Sequence, residues 1–109
     1  MSPPKVLLDE CIDWRLGREF AGCEVKSAAR IGWGGLKNGV LLAKAQVDFD
    51  VFVTTDRNLS FQQNLPNFRI AVIVLKSPSN RLQDLLPFVP KLRAATSKVR
   101  PGQVIVLNP

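Results

Sequence analysis

The chain has 109 residues, with 15 Lys and Arg against 9 Asp and Glu, and neither histidine nor tyrosine. The missing imidazole excludes Ser-His-Asp and Cys-His nucleophile machinery, His-ligated zinc and a histidine general base. A content of 46% hydrophobic and 22% charged residues is that of a globular protein, and the length suits one domain with a real core.

No apolar run approaches the roughly 18 residues of a membrane span, so no membrane partner is expected. The start, Met-Ser-Pro-Pro-Lys followed by Val6, Leu7 and Leu8, does not read as a signal peptide, because that apolar run is too short. Cys11 and Cys23 suit reduced thiols and a cytoplasmic protein better than a disulfide framework. The net charge of +6 is unevenly spread: residues 1–56 hold 7 basic and 8 acidic side chains, residues 57–109 hold 8 basic and 1 acidic. Such asymmetry points to an acidic partner, nucleic acid first, or to a merely solubilising basic face.

In chain order, Lys5 to Leu8 predicts a short buried strand ending in Asp9 and Glu10. Cys11 to Phe20 predicts a helix, with Ile12, Leu16 and Phe20 at helical spacing, Asp9 as its cap and Gly22 at its end. Trp14 is expected to pack that helix. Glu24 to Ala28 is a weak second strand. Arg30 to Gly39 is a glycine-rich loop holding Trp33, and Asn38 is expected to cap a helix over Val40 to Gln46. Val51 to Thr55 is the third strand, ending before Asp56. A short helix is expected over Asn58 to Asn64. Arg69 to Leu75 is the clearest buried strand, suited to the middle of a parallel sheet. Lys76 to Asn80 is a turn. A helix from about Arg81 to Lys98 is disturbed by Pro87 and Pro90, and Gln103 to Leu107 closes the chain as a strand. The alternation predicts an α/β sandwich with a mostly parallel sheet of about five strands.

In an open parallel sheet, functional groups collect at the carboxyl ends of the strands. Asp9-Glu10 and Asp56 both fall there. Adjacent strands would bring Asp9 and Asp56 within the range of about 4–6 Å where like charges disturb each other. A cation would keep both ionised, and hard oxygen ligands select Mg²⁺ or Mn²⁺. Each aspartate can equally be a helix cap; their recurrence at equivalent strand ends is what capping explains less readily. Thr54 and Thr55 precede Asp56, and strand alternation lets one of them face the site. Thr55 is the expected supporting residue.

Val6-Leu-Leu-Asp-Glu-Cys, the loop Gly32-Trp-Gly-Gly-Leu-Lys-Asn-Gly, and Phe52-Val-Thr-Thr-Asp-Arg-Asn-Leu followed by Gln62-Gln-Asn-Leu resemble the small PIN-like proteins, relatives of the VapC-type toxins within the PIN-domain nuclease superfamily. The resemblance spans about residues 5–75. It implies a three-layer α/β/α fold, a carboxylate-held Mg²⁺ or Mn²⁺, and hydrolysis of RNA phosphodiesters. It also implies a toxin held by a cognate antitoxin, and a homodimer. Asp9 and Asp56 match the family's acids after the first and third strands, and Glu10 an acid beside the site. Asn58 stands where many relatives carry aspartate. Val40 departs from the pattern, because the family usually has a metal-cluster glutamate there. Valine cannot ligate a cation, so a catalytically weakened relative that binds RNA or a partner protein is the alternative.

Lys37 and Arg57 flank the acidic residues and are the expected phosphate contacts, with Arg15 on the first helix. Trp33 could stack on a base or anchor its loop. Cys11 reads as a small buried hydrophobe rather than a nucleophile. A phosphoacceptor signalling domain also carries an acid pair after the first strand and an aspartate after the third, but here the last strand ends Leu107-Asn-Pro without the lysine that reading requires.

Overall fold

The computed structural model describes residues 3–20, 22–56 and 67–109. Five short strands form one sheet: β1 (Lys5–Leu8), β2 (Glu24–Ser27), β3 (Val51–Thr54), β4 (Ala71–Leu75) and β5 (Val104–Leu107). Their order is β2-β1-β3-β4-β5, and every pairing is parallel. Val6 pairs with Val25 on one side and Val51 on the other, and Val53 pairs with Ile73.

The central strands β1, β3 and β4 are buried on both faces, as the middle of a parallel sheet requires, while β2 and β5 at the edges are only partly covered. Strand alternation sends Val6, Leu8, Val51, Val53, Ile73 and Leu75 to one side. There they meet Ile12, Leu16 and Phe20 and the C-terminal helical residues Leu85, Phe88 and Leu92. Leu7, Phe52, Val72 and Val74 point the other way, against Leu41, Leu42 and Ala45 of helix α1 (Asn38–Asp48). The layers are therefore α/β/α. Each fully buried Leu, Val or Phe contributes on the order of 1.5–3 kcal/mol, and β4 is buried at all 5 of its positions.

Three local expectations are corrected. The helix expected over Cys11 to Phe20 is a 3-10 helix, Trp14–Glu19. Asp13 caps it instead of Asp9, accepting the Arg15 backbone N–H at 3.0 Å. Gly17 allows the close approach to β2, since a Cβ there would lie 3.1 Å from a Val25 methyl. Helix α1 begins at Asn38, so Asn38 is not its cap; Lys37 holds that position without a side-chain capping bond. The C-terminal helix is split into α2 (Leu82–Leu85), a 3-10 turn (Leu86–Phe88) and α3 (Val89–Thr96). Pro87 and Pro90 each open a new segment, where a missing N–H and a fixed φ are tolerated. The helix expected over Asn58 to Asn64 lies outside the described residues. Among the described residues, no helix is long and apolar enough to cross a membrane.

Candidate functional site

The strand order turns at β1: its next connection leads outward to β2, whereas β3 and β4 continue in the opposite direction. Connections that part in this way leave a crevice beyond the carboxyl ends of β1 and β3. Asp9 follows β1 directly, and its backbone N–H still pairs with the Val53 carbonyl at 2.9 Å. The carboxylate therefore leaves from a point held by the ladder. Asp56 stands two residues beyond β3. Both line one cleft of about 440 Å³, together with Cys11, Leu36, Thr55 and Asn80. Glu10 lines it too.

Thr54 joins the two acids. Its buried hydroxyl donates to Asp9 Oδ2 at 2.6 Å and accepts the Asp56 backbone N–H at 3.0 Å. Asp9 Oδ1 accepts the Glu10 N–H at 2.8 Å. The Cys11 thiol donates to Asp9 Oδ2 at 3.5 Å and lies 3.4 Å from Thr55 Oγ1. Burial pushes that thiol's pKa up, and the neighbouring Asp9 charge adds to the rise against hydrogen bonding from Thr55. A thiol so placed is a weak nucleophile.

Thr54, rather than the expected Thr55, thus supports Asp9. Thr55 is also engaged, donating to Asn80 Oδ1. Both threonines reach the site because β3 ends at Thr54 and strict alternation ends with it. Glu10 plays a different part. Its Oε2 accepts the Gly35 N–H at 2.8 Å, tying down the glycine-rich loop. A Cβ on Gly34 would lie 2.9 Å from that same oxygen, and Gly35 has φ +83°. These two contacts account for the glycine pair in physical terms.

The expected nucleic-acid contacts are dispersed. Lys37 is exposed, next to Leu36 of the cleft. Arg15 is paired with Asp13 at 2.6 Å. Trp33 is half-buried, edge-on to Phe49 at 5.9 Å, and its backbone N–H bonds the Ala28 carbonyl at 2.8 Å. It anchors the loop within the second core cluster and is not among the described residues lining the acidic cleft. Arg57 and Asn58 lie outside the described residues, as do Gln62 and Gln63. Asn80 was missed as a site residue. Its position in the loop after a central strand was the available signal, since that loop also emerges at the carboxyl edge.

Val40 stands in the first turn of α1 and is 53% exposed. Among the described residues, no group of three or more His, Cys, Asp or Glu side chains is placed to hold a metal ion. Asp9 and Asp56 do share the cleft, and Mg²⁺ commonly takes one or two carboxylates while keeping waters and substrate phosphates. Two carboxylates of this kind could hold a hydrated hard cation through one or two oxygens, but they do not make a closed protein cage. The hydrogen bonds onto Asp9 are of the kind that orient a ligating carboxylate. No family model matches the chain, and comparison with curated proteins and with solved structures gave no significant match.

Proposed function

We propose that the protein is a PIN-like ribonuclease that hydrolyses RNA phosphodiesters with Mg²⁺ or Mn²⁺. One observation carries the reading: Asp9 and Asp56, from two different strands, share a cleft at the point where the sheet's connections diverge. Asp9 and Asp56 would hold the cation, which when bound supplies an acidified water and offsets charge on the scissile phosphate. Thr54 holds Asp9 through a hydrogen bond to Oδ2, and Glu10 ties the glycine-rich loop beside the cleft through the Gly35 N–H. No side-chain nucleophile is needed, which accords with a chain lacking histidine and with a Cys11 held as thiol. The resemblance further supports a cytoplasmic toxin, with a cognate antitoxin and a homodimer as its partners.

Val40 favours a second reading, in which the domain binds RNA or a partner protein without efficient cleavage. Its side chain stands exposed where the resemblance calls for a glutamate. RNA cleavage in Mn²⁺ by wild type, Asp9→Ala and Val40→Glu separates the two. Wild-type activity that disappears in Asp9→Ala establishes the nuclease. Inactivity of both wild type and Val40→Glu overturns it in favour of binding. Rescue by Val40→Glu alone marks this chain as a silenced relative.

A further inference from the structure

Trp14 does not pack into the core as expected; it is 39% exposed. The Arg30 guanidinium lies 4.1 Å from its ring centroid, and that of Arg18 lies 4.8 Å away. Arg18 comes from the last turn of the 3-10 helix, and Arg30 from the turn after β2. The ring thus holds two cations from separate segments, at distances suited to cation–π attraction. A cavity of about 420 Å³ opens beside them, lined by Trp14, Lys26, Ser27 and Arg30. Val25 and Ile31 complete its described lining, which includes no carboxylate.

Ser27 supplies an independent sign of a ligand. The residue is 6% exposed, and its buried hydroxyl has no hydrogen-bond partner among the described residues. A buried polar group left unpaired costs about 1–3 kcal/mol, so a position that keeps one calls for a reason. A further cavity of about 390 Å³ adjoins this one, sharing Trp14 and Ser27 with it. It also shares Glu10, Cys11 and Asn80 with the acidic cleft. Through these shared residues the three hollows adjoin in series between Asp9 and Asp56 at one end and Trp14 at the other, the middle one also lined by the Asp13–Arg15 pair.

We propose that these hollows form a groove that seats a single-stranded RNA, with its backbone phosphates held beyond the cleft by Arg18, Arg30 and Lys26. The proposal rests on the nuclease reading for what happens at the cleft, but the cationic end stands on its own geometry. Guanidinium groups match phosphate oxygens in a planar fork, and arginines laid against an indole lose less freedom on binding than free ones. Arg15 is not part of the set, because Asp13 already neutralises it. Grooves that track a strand by charge, with an aromatic side chain among the cations, are the usual means of holding unpaired nucleic acid.

The test is fluorescence anisotropy of a fluorescein-labelled 12-nucleotide single-stranded RNA with the full chain at several salt concentrations. Arg18→Ala and Arg30→Ala are each expected to weaken binding roughly three- to tenfold, and to reduce the salt slope by about 1. Ser27→Ala should weaken binding while raising the thermal midpoint of the free protein, a pairing that a purely structural serine would not produce. Inorganic phosphate and uridine monophosphate at millimolar concentration should displace little of the RNA. Wild-type affinity in both arginine variants overturns the groove, and so does a mononucleotide that binds as tightly as the 12-mer. If Asp9→Ala abolishes cleavage while the arginine variants bind normally, the groove fails and the nuclease stands. If neither wild type nor Val40→Glu cleaves but binding depends on Arg30, the nuclease fails and the groove stands.

Discussion

Thr54 holds Asp9 by a 2.6 Å hydrogen bond from its buried hydroxyl to Asp9 Oδ2, and the oxygen of that hydroxyl accepts the backbone N–H of Asp56 at 3.0 Å. One β-branched side chain at the last position of β3 thereby sets the relation between acids that are 47 positions apart in the chain. Thr54→Val keeps the shape and removes both bonds. It should cost about 1–3 kcal/mol of unfolding free energy, because buried polar groups lose a partner. Thr54→Ser restores the hydroxyl and should recover most of that loss. Urea unfolding of the two variants measures it, and equal destabilisation by both would count against the bridging role.

Asp13 should behave as a cap with a titration at low pH. Asp13→Ala removes the acceptor for the Arg15 backbone N–H and should destabilise the protein by about 0.5–2 kcal/mol near neutral pH. Hydrogen bonds from the Arg15 guanidinium and backbone hold the Asp13 carboxyl at about 2, below the ordinary 3.8. The folded value is the lower one, so the contribution is fully present above about pH 4 and is lost as pH falls toward 2. A carboxyl resonance of Asp13 followed by NMR should titrate near 2, and Arg15→Ala should return its midpoint toward 3.8.

Cys11 should be slow to alkylate. Burial raises its pKa, and its thiol is occupied with Asp9 and Thr55. Iodoacetamide at about pH 8 should modify Cys11 more slowly in the folded protein than in urea, with the rate rising only in alkaline buffer. Peptide mapping by mass separates it from Cys23. A folded-state rate equal to that in urea would show that the cleft does not enclose the thiol.

The two loop glycines should respond differently to alanine. Gly35 has φ +83°, so Gly35→Ala carries roughly 1–2 kcal/mol of backbone strain. Gly34→Ala would place its methyl 2.9 Å from Glu10 Oε2, the end of a flexible side chain that can swing aside. Thermal melts should show the larger fall for Gly35→Ala. Glu10→Gln should retain much of the loop's order, since an amide oxygen still accepts the Gly35 N–H, whereas Glu10→Ala should loosen it.

How much of this was legible beforehand differs by scale. The β-branched and leucine runs of β1, β3 and β4 marked buried parallel strands, because a strand covered on both faces needs apolar residues at every position. Their alternation with helical segments indicated the α/β class, and acids at or just past the ends of β1 and β3 put both carboxylates at the carboxyl edge of the sheet. Local detail was harder. Four polar residues able to cap or turn a chain (Asp9, Asp13, Asn38 and Asn80) look alike in one dimension. Which of them caps, and which serves the cleft, depends on where the strand ends lie relative to the next segment. Asp13 caps the 3-10 helix, while Asp9 takes hydrogen bonds from Thr54 and the Glu10 N–H.

Composition and pattern alone thus determined that this is a histidine-free α/β domain with a near-neutral half bearing strand-end acids and a strongly basic half. The tertiary structure decided what those residues meet. It made Thr54 the link between Asp9 and Asp56, and turned Glu10 into a clasp on the glycine loop. It drew Trp33 onto Phe49, away from the cleft, and set Trp14 against the guanidiniums of Arg18 and Arg30. The physical reason is that burial follows from periodicity, which is local. Partnership between polar groups follows from the order in which strands lie side by side, and β1 acquires its neighbours from residues about 20 and 45 positions away only when the sheet closes.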